Sequence, residues 1–304
     1  MSTDPLPPCR ELSLALAESL TATATTAVSW LLVEHPGPWP AKAPRGVRWP
    51  EGLAKDLQAA TDRVGVRVNL IRRPAGLLRA GATDTEVLLV HTGPSTPRLH
   101  QLRLPDPRAL LDLDLGGLAA GRALDAPQPA AGVFLVCTHG GRDACCALTG
   151  RPVAAALAER FPTRTWECTH LGGHRFAPTL ACFPHGLMYG RTSAADALEV
   201  AGAYDAGRIV AEHFRGRTCW TAPVQAAEAW LRERLAAWEI DAVRPVAQRT
   251  LDDRIEVDLA VHATTWRLRV AAAPAGEPRP VSCGSTELES PISYRILTAE
   301  PVAN

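Results

Sequence analysis

Two short stretches of this chain concentrate side chains that bind soft cations. CTHGGRDACC, Cys137 to Cys146, carries three cysteines, and HLGGH, His170 to His174, carries two histidines. Thiolate and imidazole are the ligands of borderline-soft metals, so two of each suit a tetrahedral zinc ion or an iron–sulfur cluster. His170 and His174 would share one face of a helix, but Gly172 and Gly173 between them disfavour helix. A Gly-Gly loop can instead wrap closely and aim both rings at one point. Gly140 and Gly141 give the first loop the same freedom and offer backbone N–H donors. Cys145 adjoins Cys146, and Cys168 stands two residues before His170, so either is an alternative ligand. His139 has no matching partner and reads as a supporting donor or packing residue.

The elements that must position these loops are strands. Residues 132–137 (GVFLVC) form an apolar run, and residues 163–169 (TRTWECT) alternate, so each motif follows a predicted strand. Loops at the carboxyl ends of strands in an α/β sheet are where sites are usually built. Upstream, residues 24–35, which contain SWLLVEH, predict a strand ended by Pro-Gly-Pro; 51–63 a helix; 64–71, 86–91 and 98–104 strands; and 106–118 a helix.

A Pro- and Ala-rich linker at 126–131 follows, and the order then returns. After the strand at 132–137 come a helix over 151–160 with Pro152 in its first turn and the strand at 163–169. A hairpin of 180–183 and 187–191 and a long helix over 194–214 complete the unit. Two successive strand–helix–strand–strand–strand–helix units predict an α/β fold of tandem thioredoxin-like halves. The expected division is 1–125 as an N-terminal α/β domain, 126–218 as the site-bearing domain, and 219–304 as a helix (222–238) with a small antiparallel β extension (239–246, 254–261, 265–272, 292–298).

The bulk numbers narrow the classes. A length of 304 residues suggests two domains or more, and a formal net charge of +0 argues against nucleic acid or an anionic membrane as a charge-driven partner. Residues 1–8 are polar and Pro-rich rather than leader-like, and no run of about 18 apolar residues occurs, so a cytoplasmic protein is expected. In a reducing compartment, clustered cysteines mean metal binding or catalysis more often than disulfides. Four of the eight cysteines fall between Cys137 and Cys168. No Cys-x-x-Cys pair, phosphate-binding glycine loop, GxSxG or HExxH motif occurs.

CTHGGRDACC, GRPVAAAL, WECTHLGGHRFAPTL and YGR, with SWLLVEHPGPW near the N-terminus, resemble the sucrase/ferredoxin-like family, a group of thioredoxin-like ferredoxins. The segment around Cys283 resembles it too, so the likeness spans residues 29–283. The resemblance implies a [2Fe–2S] cluster on two cysteines separated by eight residues and two histidines separated by three. Cys137, Cys146, His170 and His174 have those spacings. It implies a one-electron carrier rather than a catalyst, serving a redox protein partner, with a proton-coupled potential if the free ring nitrogens face solvent. Nothing in the sequence supports sugar hydrolysis. A thiol oxidoreductase and a structural zinc module are the competing expectations. Arg142 and Asp143 read as a loop-closing pair, Arg175 as a surface or docking residue, Trp166 as core, and Cys9, Cys182, Cys219 and Cys283 as structural.

Overall fold

Continuous apolar runs, rather than alternating ones, make the central strands, as expected where both faces of a sheet are covered. In the computed structural model, which describes residues 7–75, 77, 83–251, 254–280, 282–283 and 287–302, these runs join one nine-stranded sheet. Residues 1–6 of the N-terminal reading, and 281 and 284–286 of the segment around Cys283, lie outside the described residues.

Helix α1 (Cys9–Ala15) opens the chain, followed by β1 (Ser29–Glu34), α2 (Leu53–Val64), β2 (Val66–Arg72), β3 (Thr85–His91), β4 (Arg98–Leu104) and the short α3 (Leu115–Ala119). Next come β5 (Val133–Cys137), α4 (Ala144–Arg160), β6 (Thr165–Cys168), β7 (Thr179–Phe183), β8 (Leu187–Gly190) and α5 (Ala194–Asp205). The sheet order is β4-β3-β1-β2-β6-β5-β7-β8-β9, where β9 is Phe214–Arg217. Within each run of four, the first two strands pair in parallel and the others antiparallel. The runs meet at a short antiparallel joint, Ile71 opposite Cys168 and Arg72 opposite Glu167. After α6 (Ala222–Leu235), the strands β10 (Val243–Leu251), β11 (Arg254–Val261), β12 (Thr264–Pro274) and β15 (Ile292–Pro301) form a separate antiparallel sheet under that helix. The two-residue strands β13 (Arg279–Pro280) and β14 (Leu288–Glu289) pair with each other.

The large sheet is curled. The rings of Trp30 on β1 and Phe183 on β7 lie 5.2 Å apart. Four strand spacings separate β1 from β7, which in a flat sheet would be about 19 Å. One core therefore collects a face of both runs: Trp30, Leu32, Leu88, Val90, Leu135, Cys137, Trp166 and Cys168. Trp166 is core, as its alternation predicts. The opposite face of β5, Phe134 and Val136, packs on Val153, Ala154 and Leu157 of α4.

The structure adds α1 and β9 to the expected elements, shifts the first tail strand from 239–246 to Val243–Leu251, and gives several helices other bounds. Helix α4 begins seven residues earlier than the predicted 151, so that Cys145 and Cys146 lie in its first turn and Pro152 lies inside it. The reading failed because Thr149-Gly150-Arg151-Pro152 looks like a turn, whereas the Asp143 side chain has already capped the helix by accepting from Cys145 N–H at 2.9 Å. Helix α5 stops at Asp205 instead of 214, near Gly207 with φ 72°, and β9 follows. The region 106–118 splits into a 3-10 turn (Pro107–Asp112) and α3, because the Asp114 side chain caps a fresh helix start at Gly117 N–H.

Gly150 sets how closely α4 approaches β5. A Cβ there would lie 2.2 Å from the carbonyl oxygen of Cys137. Gly150→Ala therefore has to push the helix off the strand. The expected cost is about 1–3 kcal/mol, read from the denaturant midpoint, with a parallel fall in metal content. An unchanged midpoint would show that the contact is slack.

Candidate metal centre

Cys137 ends β5, and Cys146 sits on the first turn of α4, facing it. Both side chains are fully buried. The ligand atoms of Cys137, Cys146 and His170 all lie within 4.8 Å of one another. His174 lies outside that triad but stacks on His170, with ring centroids 4.5 Å apart and planes inclined by 28°. The structure thus brings the four sequence-predicted residues to one place, with His174 behind His170. Cys145, one alternative ligand, turns the other way. Its Sγ is 3.5 Å from Cys283 Sγ and 3.9 Å from Cys9 Sγ. Cys168, the other alternative, lies opposite Cys137 in the β5–β6 ladder and belongs to the inter-run core.

The histidine loop is held by its carbonyls. Gly172 and Gly173 adopt φ 100° and 71°, the left-handed region that favours glycine. Arg67 from β2 donates to the His170 carbonyl at 2.8 Å, and Asn69 donates to the Thr169 and His170 carbonyls at 3.1 and 3.2 Å. Thr25 Oγ1 donates to the Leu171 carbonyl at 2.6 Å, and Arg215 from β9 donates to the Gly172 carbonyl at 3.0 Å. Arg215 also donates to the carbonyl of Thr23. Its guanidinium is fully buried, and that burial pushes its pKa down to about 9.

The ring nitrogens are treated differently from the carbonyls. Nδ1 of His170 and Nδ1 of His174 are both buried without a hydrogen-bond partner. Such atoms are rare in a settled interior and need an explanation such as an ion. Burial, with His170 beside it, pushes the His174 imidazole down to about 4, so at neutral pH it is in the uncharged, ligating form. The two thiols are linked: a hydrogen bond from Cys146 holds the Cys137 thiol well below its usual range, and the same contact pushes Cys146 up. A buried thiol pair beside two orphaned imidazole nitrogens fits a cation or cluster that takes sulfur and nitrogen donors.

Other sequence assignments shift. His139 Nε2 lies 3.0 Å from the Pro40 carbonyl, and its ring meets Trp39 edge-on at 6.0 Å, which fits the packing role. Asp143 does not close its loop on Arg142. Its two oxygens accept from Cys145 and Cys283 N–H, both at 2.9 Å, while Arg142 is exposed. Arg175, partly exposed, pairs with Glu18 at 2.7 Å. The clamps Arg67, Asn69 and Arg215 escaped the sequence reading. They come from strands far from the loop in the chain, and no strand is expected at 214–217, where the helix expected over 194–214 ends.

No curated protein and no solved structure matches the chain. Residues 20–216 match the sucrase/ferredoxin-like family, a segment that holds every residue of this centre and its clamps. With well over half of its length inside that match, the chain belongs to the sucrase/ferredoxin-like family.

Proposed function

We propose that Cys137, Cys146, His170 and His174 hold a [2Fe–2S] cluster, and that the protein carries single electrons between redox protein partners. The observation that supports this most is the pair of orphaned Nδ1 atoms beside the buried thiol pair. When bound, such a cluster takes up and returns one electron. Cys137 and Cys146 would supply two thiolates from the end of β5 and the start of α4. His170 and His174 would supply neutral Nδ1 donors, and imidazole in place of thiolate leaves less negative charge, which favours the reduced form. The shared pairing pattern of the two four-strand runs supports a pair of thioredoxin-like halves.

His170 also lines a surface cavity of about 350 Å³ with Lys42, Arg67, His139 and Arg142, and this is the edge we assign to electron exchange. With Nδ1 of His170 and His174 on the cluster, Nε2 is the ring atom of each left to hold a proton. A thiol oxidoreductase fits less well, since both thiols are fully buried and a disulfide substrate could not reach them. A single zinc ion is the second reading, favoured by the compactness of the Cys137–Cys146–His170 triad.

Protein purified anaerobically and reduced with dithionite should give an EPR signal with a lower average g than an all-cysteine ferredoxin. Cys146→Ser and His170→Ala should abolish it, while Cys145→Ser should keep it. Colourless protein with stoichiometric zinc would support the second reading instead.

Electron uptake should raise the proton affinity of a solvent-facing Nε2. The midpoint potential should therefore fall with rising pH between the pKa of the oxidised form and that of the reduced form, by up to about 59 mV per pH unit for one proton per electron. A potential that stays flat from mildly acidic to strongly basic pH would remove the proton coupling and leave the electron carrier.

A further inference from the structure

We infer that Cys9, Cys145, Cys283 and Asp143 form a second metal site, separate from the first, for one tetrahedral cation of the zinc type. These side chains come from α1, the start of α4 and the segment after β13, and they converge around one point. The Sγ atoms form a nearly even triangle: Cys145 to Cys283 3.5 Å, Cys9 to Cys283 3.6 Å, and Cys9 to Cys145 3.9 Å. Asp143 Oδ2 lies 3.6 Å from Cys9 Sγ. A tetrahedral ion with metal–sulfur bonds of about 2.3 Å separates its sulfurs by about 3.8 Å, and a metal–oxygen bond of about 2.0 Å puts that oxygen about 3.5 Å from each sulfur. The three sulfur–sulfur edges and the Asp143–Cys9 edge are close to those values, and all four donors lie within 4.8 Å of one another. A disulfide, at about 2.0 Å, would join two of the sulfurs and strand the third.

The charge of the cluster points the same way. Burial works against a charged Asp143, but the N–H groups of Cys283 and Cys145 donate to it and help hold the carboxyl below its usual range. A carboxylate therefore sits among three thiols. Burial first, then that carboxylate and the neighbouring sulfurs, push the Cys9 thiol up. A divalent cation would reverse this: all three thiols would ionise on binding and release their protons to solvent. Backbone donors for the sulfurs are already present. Cys9 N–H points to Cys283 Sγ at 3.5 Å, and the Arg10 N–H donates to Cys145 Sγ.

Cys9 and Cys283 both fall outside the residues that match the family. The site fastens two distant segments of the chain to the first turn of α4. Its existence does not depend on the group held by Cys137 and Cys146.

The test is metal content of the full chain, purified anaerobically and loaded with zinc. The expected result is one zinc equivalent that His170→Ala and Cys146→Ser keep, and that Cys9→Ser and Cys283→Ser lose without losing the iron signal. Cobalt in its place should show a thiolate charge-transfer band and intense four-coordinate d–d bands. Should the serine variants fail to fold, alkylation of the unmutated protein decides. Cys9, Cys145 and Cys283 should be protected with zinc and become reactive together when a chelator is added. Zinc content unchanged in both serine variants, labelling indifferent to the chelator, or a Cys145–Cys283 or Cys9–Cys283 disulfide in the anaerobic protein would each overturn the site.

Discussion

The Asp143 carboxylate fixes where α4 begins, and both groups of cysteines depend on that choice. One oxygen caps the helix at Cys145 N–H, and the other takes the N–H of Cys283 from the far end of the chain. Successive helical residues point about 100° apart. Adjacent cysteines on such a turn cannot face the same partner, so a helix started at this residue sends Cys146 towards β5 and Cys145 towards α1. A start shifted by one residue would exchange them or turn both away. The cap is therefore more than a few tenths of helix stability: it sets the phase of the helix relative to the strand. Gly150 two turns on lets that phase hold while the helix touches the end of β5.

The histidine loop obeys a second rule, which is that its backbone is satisfied and its rings are not. Arg67, Asn69, Thr25 and Arg215 hold four successive carbonyls, Thr169 to Gly172, while the two Nδ1 atoms inside are left without a donor or acceptor. Burying the Arg215 guanidinium is costly, as its depressed pKa shows, and a neutral polar side chain could have met one carbonyl. A guanidinium meets carbonyls of two segments at once and locks the loop to the chain before β1. Side chains fixed this way keep their orientation with or without an ion between them.

Much of this was legible from residue types. The strands 132–137 and 163–169, the hairpin at 180–191 and the antiparallel tail follow from apolar runs and turn residues. The two motifs that converge on the first centre were visible as clusters of soft ligands. What escaped was set by long-range contact. Cys9 and Cys283 read as structural because nothing in the sequence says that residues 274 positions apart meet Cys145. Spacing ranked Cys146 over Cys145 only through a family likeness. The physical reason, the helix phase set by Asp143, needs the cap to be known, and the Gly-Arg-Pro inside α4 hid the helix that carries it. The strand that carries Arg215 escaped for a similar reason, since apolar residues 210 and 214, four apart, continue a helical spacing past the end of α5 at Asp205.

The first centre lies at the seam between the two strand runs, and the seam explains its composition. Only two residue pairs join β2 to β6, but one is reinforced by charge: Arg72 meets Glu167 at 2.6 Å, and Glu167 also accepts from Thr138, the residue after Cys137. The same oxygen of one carboxylate thus links β2, β6 and the thiol-bearing loop. Beyond that joint, β2 runs on to Asn69 and Arg67, which reach the histidine loop. All four candidate ligands come from the second run, and the groups that hold the histidine loop's backbone come largely from the first, from the segment before β1 and from β9. Neither run alone contains both. The curl that brings Trp30 against Phe183 closes the sheet around this seam, and the buried thiols and the clamped loop follow from that closure.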